Sequence, residues 1–376
     1  MKQSRILVVA GEPSGDAQAA KLIRAMKQKA PTLRFSGAAG PAMRAAGVEA
    51  DVDIAELSVM GISEVFGGLG RVVRAYRRLR GTLRGDRAPA LLILVDFPDF
   101  NIPLAGAARR AGVPVLYYVS PQVWAWRQRR VAKICRRVDR MIVLFPFEEE
   151  IYQSRGLDAH FAGHPLAESV VADRSREQTR DYHGLPQDRP LVALLPGSRA
   201  ATVEHNLPAL LGAARLLSDR ATFAIARADP IDRAGLERAV ASAGVRVAII
   251  EDDTYNLVAA SDAVAVSSGT ATVECALLER PMVVVYGMSR LSYAIARRLV
   301  KVPYIAMPNI ILGEQVVPEL IQEQLTAEAV AAELRRILDD RPHARAVSER
   351  LAEVRRALVV PGAAQRAADL ALEMIE

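Results

Sequence analysis

The stretch Ala263-Val264-Ala265-Val266-Ser267-Ser268-Gly269-Thr270-Ala271-Thr272-Val273-Glu274 passes from four apolar residues, through small and hydroxylated residues, into a helical pattern. So short an apolar run, bounded by turn residues, predicts a strand buried on both faces of a parallel sheet. The loop then places backbone amides at the positive end of the next helix, an arrangement suited to a phosphate. Leu191–Leu195, followed by Pro196-Gly197-Ser198-Arg199, repeats the signature.

Working outward, similar apolar runs occur at Ile6–Ala10, Leu91–Val95, Val113–Val119, Met141–Leu144, Ala221–Ala226, Val245–Ile250 and Met282–Val285. Amphipathic stretches such as Ala17–Lys29, Leu69–Leu83 and Arg127–Arg137 separate them. This alternation predicts parallel sheets covered by helices. The rhythm breaks between about Glu168 and Arg189, where Asp173-Arg174-Ser175-Arg176-Glu177 raises the polarity. Two doubly wound α/β domains follow, residues 1–168 and 169–345. The chain from Thr326 onward reads as helical, broken at Pro361-Gly362. Residues 346–376 are expected as terminal helices.

Composition narrows the class. A chain of 376 residues with 51% hydrophobic and 24% charged content supplies the core of about two domains and excludes disorder. Two cysteines, Cys135 and Cys275, exclude a disulfide or zinc scaffold and point to a reducing compartment. No stretch approaches the roughly 20 apolar residues of a membrane span, and the first apolar run is too short for a signal peptide. A soluble or peripheral cytoplasmic protein is expected. The net charge of +6 points only weakly to an acidic ligand or surface, and 5% aromatic content argues against a base-stacking platform for nucleic acid.

Ligands of open α/β sheets lie beyond the carboxyl ends of the strands. After the first run comes Gly11-Glu12-Pro13-Ser14-Gly15-Asp16, which lacks both G-x-G-x-x-G and a Walker lysine. Its small residues admit a polar ligand; Ser14 and Asp16 equally suit helix capping. After Leu91–Val95 comes Asp96-Phe97-Pro98-Asp99-Phe100-Asn101, with two carboxylates as candidate general bases. Asp99 equally suits a cap. Arg199 offers a fork for an oxyanion or a surface ion pair. Glu274, one turn into its helix, can accept from ribose hydroxyls or close a capping box with Thr270 or Ala271. No metal site is predicted: Gly163 and Pro165 disfavour a helical pairing of His160 with His164, and Asp51-Val52-Asp53 follows no nucleotide loop. No cofactor is called for, and no G-x-S-x-G elbow is present. The composite is an enzyme of two facing α/β domains, with acidic residues in the first and phosphate loops mainly in the second. Group transfer from a nucleotide-activated donor fits that division.

Several segments resemble the lipid-A-disaccharide synthase family. They are Gly11–Asp16, Glu56-Leu57-Ser58-Val59-Met60-Gly61, Asp96–Asn101, Tyr118-Val119-Ser120-Pro121-Gln122-Val123-Trp124-Ala125-Trp126-Arg127, Gly163-His164-Pro165, Leu194–Arg199, Ser268–Glu274, Pro281–Val284 and Pro308-Asn309. The resemblance implies a GT-B glycosyltransferase, with two Rossmann-like domains facing a cleft and the terminal helices, 346–376, either crossing back to the first domain or exchanging between subunits of a homodimer. It would join UDP-2,3-diacylglucosamine to 2,3-diacylglucosamine 1-phosphate, with inversion, giving a β-1′,6-linked disaccharide and UDP. Asp96 matches the family's proposed catalytic carboxylate, and Arg199 the arginine of its P-G-S-R loop. Gly197, Ser198, Ser268, Gly269, Thr270, Ala271, Thr272 and Glu274 are then expected around the UDP-sugar. Gly11, Glu12, Ser14, Gly15, Asp99, Asn101, Asn309 and Gln322 are expected around the acceptor or the cleft. One position departs: Thr202 stands where the family's P-G-S-R-x-x-E-V places glutamate, with Glu204 two residues on.

Acylated substrates require contact with a membrane, expected at the cytoplasmic face of the anionic inner membrane. Met60, Ile62, Val65, Phe66, Leu69, Val72, Val73 and Tyr76 are apolar, beside Arg71, Arg74, Arg77, Arg78, Arg80 and Arg84. That pattern suits either an interfacial helix or a helix packed on the sheet with solvated arginines. Trp124 and Trp126 suit an acyl chain or the core. The rival readings are another GT-B transferase acting on a polyprenyl-linked peptidoglycan precursor, a UDP-sugar epimerase of the same fold, and a non-catalytic binder of nucleotide sugar or lipid.

Overall fold

The computed structural model describes residues 5–57, 65–85, 88–122, 129–300 and 302–375. The chain divides into two compact units, Met1–Pro165 with Val360–Glu376, and Leu166–Val359. The passage back to the first unit lies at Val360, beyond the 346 expected from sequence, because Arg341–Leu358 is one uninterrupted helix of the second unit.

The first unit runs β1 (Arg5–Ala10), α1 (Pro13–Lys29), β2 (Arg34–Ala39), α2 (Pro41–Ala45), β3 (Val48–Asp53), α3 (Val65–Gly81), β4 (Leu91–Val95), α4 (Pro98–Arg110), β5 (Val115–Tyr118), α5 (Arg129–Cys135), β6 (Arg140–Val143), α6 (Pro146–Gln153) and β7 (Asp158–Phe161). Its sheet is parallel, in the order β3-β2-β1-β4-β5-β6-β7. The five residues of β4 are wholly buried, alternating between two cores. Leu92 and Leu94 join Leu79, Leu104 and Tyr117 on one face; Leu91, Ile93 and Val95 join Leu22, Ile23 and Met26 on the other.

The second unit runs α7 (Leu166–Ser169), α8 (Arg176–Tyr182), β8 (Leu191–Leu195), α9 (Ala200–Leu216), β9 (Thr222–Arg227), α10 (Arg233–Ala243), β10 (Val247–Glu251), α11 (Thr254–Ala260), β11 (Ala263–Ser267), α12 (Thr270–Leu277), β12 (Met282–Tyr286), α13 (Arg290–Leu299), α14 (Met307–Leu312), β13 (Glu319–Ile321), α15 (Ala327–Asp339) and α16 (Arg341–Leu358). Its parallel sheet has the order β10-β9-β8-β11-β12-β13. The chain then returns to the first unit as α17 (Ala363–Leu372), where buried Ala367, Ala368 and Ala371 join the core shared with α1.

The polar stretch near residues 168–189 is structured, not a bare linker. Arg176 makes a bidentate ion pair with Asp262, at 2.7 Å for each bond. Arg180 is fully buried, donating to Asp262 at 3.2 Å and to the carbonyls of Pro186 and Arg189 at 2.8 and 2.7 Å. A charge so deep stays in place only with partners of this kind. Those partners lie up to 82 residues away, which is why polarity alone reads as a break.

Both sheets reverse their winding beside the first strand of their unit, at β1/β4 and at β8/β11. These are the topological switch points, where adjacent loops part and leave room for a ligand. The loops there are Gly11–Asp16 with Asp96–Asn101, and Pro196–Arg199 with Ser268–Thr270.

Candidate active site

In the second unit, the two switch-point loops border a cavity of about 390 Å³. Its lining includes Gly197, Ser198, Arg199, Thr202, Ser267, Ser268, Gly269, Thr270, Ala271, Glu274 and Tyr286. Gly197 and Gly269 have φ of +128° and +139°. Gly269 precedes the first turn of α12, where the positive end of the helix dipole lies; within that turn Thr272 N–H already donates to the Gly269 carbonyl at 3.1 Å. Arg199 is exposed at the start of α9, with a guanidinium suited to a phosphate. Glu274 accepts from Tyr255 Oη at 3.1 Å. Burial raises the carboxyl's pKa and the tyrosine hydrogen bond works against that rise.

Not every hydroxyl named from sequence is left to meet a ligand in this cavity. Thr272 is fully buried; its Oγ1 donates to the Gly269 carbonyl at 2.7 Å and accepts from Met307 N–H at 3.2 Å. Ser268 Oγ donates to the Ile305 carbonyl at 2.8 Å. These side chains shape the loop, leaving its backbone to meet an anion. Thr202 lines the cavity, whereas exposed Glu204 lines a different surface groove with Leu207 and Leu211.

In the first unit, Asp96 sits directly beyond β4. It and Phe97 adopt left-handed backbone conformations, with φ of 43° and 46°. Two buried side chains pin this turn: Asn101 Nδ2 donates to the Val95 and Asp96 carbonyls at 3.1 and 2.8 Å, and Tyr117 Oη donates to the Asp96 carbonyl at 2.5 Å. Opposite, Gly11 admits the Phe97 ring; a Cβ there would meet the ring at 2.3 Å. The Asp96 carboxyl is pushed up to about 6, first by burial and then by the negative charge of Glu12, while a hydrogen bond from the Phe97 backbone holds it back. Such a carboxylate is a stronger base than a solvated one.

The other residues expected around the acceptor divide. Glu12 and Ser14 are exposed beside Asp96's loop, and Gly15 is buried against Val95. Asp99 is exposed in the first turn of α4 and ion-paired with Arg130. Asp16 caps α2, accepting from Gly40, Ala42 and Met43 N–H at 2.8, 2.8 and 3.2 Å. Asn101 and Asn309 are fully buried, so their amides brace backbone and do not line an open surface. Asn309 donates to the Val317 carbonyl and Glu319 at 2.9 and 2.8 Å. Gln322 holds Met288, accepting from its N–H at 3.0 Å and donating to its carbonyl at 2.7 Å.

His164 is buried against Phe145 and its pKa is pushed down to about 4 by burial, so its ring is neutral near pH 7. Asp51 and Asp53 pair with Arg5 and Arg44. Among the described residues no group of three or more His, Cys, Asp or Glu side chains is arranged to hold a metal. Met60, Ile62, Trp124 and Trp126 lie outside the described residues; Val65, Phe66 and Leu69 belong to the helical backbone of α3. Arg71 and Arg74 are exposed on α3 and Val72 is half-buried.

Three positioning residues escaped the sequence. Tyr117 and Tyr255 act across elements that sequence spacing does not connect. Asn206, fully buried on α9, donates to the Pro196 carbonyl at 3.0 Å and Ser267 Oγ at 3.2 Å while accepting from Gly287 N–H at 2.8 Å. It thereby ties both loops that border the cavity to the segment after β12. A polar residue on the buried stripe of a helix beginning at a P-G-S-R loop was the only available signal.

Comparison with solved structures places both units in the GT-B fold. The chain is similar to MurG from Acinetobacter baumannii (TM-score 0.59, 15% identity, 98% of this chain and 99% of that one). It is also similar to the calicheamicin glycosyltransferase CalG4 (0.63, 16%, 100% and 99%) and to a UDP-GlcNAc 2-epimerase from Neisseria meningitidis (0.63, 14%, 98% of each). At these identities the likeness shows the fold alone. Sequence carries the rest. A family model described as lipid-A-disaccharide synthetase matches residues 6–373. The chain is 44% identical over 374 residues to a lipid-A-disaccharide synthase from Geobacter metallireducens, covering 99% of this chain and 97% of the relative. It is 42% identical over 376 residues to one from Myxococcus xanthus, with coverages of 99% and 97%. Because the match extends through the loops at both switch points and not only the strands beneath them, the chain belongs to the lipid-A-disaccharide synthase family of glycosyltransferases, which form the disaccharide of lipid A.

Proposed function

We propose that the protein transfers 2,3-diacylglucosamine from its UDP ester to the 6-hydroxyl of 2,3-diacylglucosamine 1-phosphate, with inversion at the anomeric carbon. The observation that carries this reading is Asp96: a carboxylate fixed beyond β4 at a switch point, with its pKa raised to about 6. As the acceptor oxygen bonds to the anomeric carbon, Asp96 takes its proton. The bond from that carbon to the diphosphate breaks, and its electron pair leaves with UDP. Backbone N–H groups at the start of α12 and the Arg199 guanidinium stabilise the charge that develops there. Glu274, oriented by Tyr255, accepts from the ribose hydroxyls.

The acylated substrates bring the protein to the cytoplasmic surface of an anionic membrane as a peripheral protein, with α3 as one contact. Arg71, Arg74, Arg77, Arg78 and Arg80 are exposed along that helix together with Val73. No described helix is long and apolar enough to cross a membrane.

Release of UDP on mixing both lipid substrates tests the reaction. Asp96→Asn should lower kcat by roughly 10²–10⁴-fold, the usual contribution of a positioned base, with UDP affinity retained. Near wild-type turnover by this variant would refute the base assignment.

A further inference from the structure

The segment from Gly287 to Ile305 leaves the second sheet after β12 and returns before α14, and both its ends are fastened to the donor-side loops. At the leading end, Gly287 N–H donates to Asn206, the residue that also holds Pro196 and Ser267. Gln322 clasps Met288 through both its N–H and its carbonyl. At the trailing end, Ser268 Oγ holds the Ile305 carbonyl, and Glu319 accepts from the N–H groups of Ile305 and Ala306 at 3.0 and 2.9 Å. Met307 N–H reaches Thr272 Oγ1. The segment is thus hydrogen-bonded, directly or through Asn206, to the backbone that borders the donor cavity.

Between these anchors stands α13, N-capped by Ser289, which accepts from Ser292 N–H at 3.2 Å. None of its described side chains is buried. Leu291 is 74% exposed and Val300, just past the helix, 38%. In sequence, Leu291, Ile295 and Leu299 recur every four residues, the spacing of one helical face. Arg290, Arg297 and Arg298 of the same helix are exposed, and no Asp or Glu occurs from Gly287 to Ile305. The acid-free stretch 65–85, with its six arginines, is the counterpart in the first unit. Together the two stretches hold more positive charge than the chain's net +6, so the remainder is net acidic. An apolar stripe among arginines, free of carboxylates, matches the chemistry of an anionic bilayer surface.

We infer that α13 is a lipid-docking helix of the second unit, lying on an anionic bilayer and linking that contact to the loops that hold the donor. Its purpose rests on the acylated-donor reading above; its binding to lipid requires no substrate and is tested without one.

The experiment uses the full chain and vesicles of phosphatidylglycerol with phosphatidylethanolamine, against phosphatidylcholine alone, read by flotation. The double variant Arg297→Gln/Arg298→Gln should lower partitioning to anionic vesicles roughly 25-fold, since each basic residue near such a surface contributes about a factor of five. Leu291→Ser should lower it severalfold, with UDP affinity unchanged as the control for folding. A polarity-sensitive dye on Leu291→Cys should shift to the blue on anionic vesicles only. Unchanged partitioning in both variants with no dye response would overturn the inference. So would a change of oligomeric state in Leu291→Ser, which would assign this face to a second copy of the chain. Arg71→Gln/Arg74→Gln on α3 separates the two claims. A loss there with none at α13 removes only the α13 inference; no loss at either helix removes the membrane reading as well.

Discussion

The loop after β4 and the loop after β11 occupy equivalent positions in their sheets, one strand from the first across the switch point, yet they are built in opposite ways. After β11, the unusual backbone falls on Gly269, where a positive φ costs little. After β4, it falls on Asp96 and Phe97, two residues with side chains, at about 1–3 kcal/mol each. On the proposed function, the difference follows from what each loop presents. A phosphate is met by backbone N–H groups, so the donor loop needs no side chain at its bend. A base must be a side chain, so the bend after β4 cannot be glycine and has to be held by neighbours. Asn101 and Tyr117 do that from beneath, and Gly11 clears space for the Phe97 ring.

Gly269→Ala should have the largest effect on the donor side. A Cβ at Gly269 meets nothing within 4 Å, so the cost is purely conformational. UDP should bind roughly ten- to a hundredfold more weakly by calorimetry, equivalent to about 1–3 kcal/mol of backbone strain. Unchanged affinity would show that the start of α12 does not cradle the diphosphate.

Tyr117→Phe sharpens the comparison from the other side. It removes one pin from the strained turn without touching the carboxylate. Turnover should fall about fivefold, for a lost hydrogen bond of about 1 kcal/mol, while UDP affinity stays at the wild-type value. A loss of UDP affinity with turnover preserved would reverse the division of labour between the loops. The smallest effect is expected for Tyr255→Phe, which leaves Glu274 in place without its partner. The KM for the UDP-sugar should rise about two- to threefold with kcat nearly constant, the lower end for a lost hydrogen bond. A fall in kcat at constant KM would contradict a role in ground-state donor binding.

The sequence exposed the strands and loops that define the switch points because fully buried parallel strands are continuous apolar runs. Leu91–Val95 and Leu191–Leu195 coincide with β4 and β8. It did not expose β2 or β3: Arg34–Ala39 contains Gly-Ala-Ala, and Val48–Asp53 is an edge strand with alternating polarity. The placement of Asp96 and Arg199 beyond strand ends, and of Glu274 one turn into the helix after β11, was legible because each follows a continuous apolar run. The inward-turned amides of Asn101 and Asn309 were not, since the chain sequence does not show which way a polar side chain faces. The buried partners Tyr117, Asn206 and Tyr255 were hidden for a related reason. Their contacts join residues 19 to 81 positions apart, beyond any local pattern.

As the proposed base, Asp96 has a pKa raised by burial and by Glu12. Its working form is the carboxylate, so kcat/KM should fall as the pH drops through about 6. Glu12→Gln removes the neighbouring negative charge that raises this pKa. The acidic limb of the pH profile should therefore move to lower pH while Asp96→Asn abolishes it. A limb that stays in place in Glu12→Gln, or persists in the residual activity of Asp96→Asn, would contradict the account.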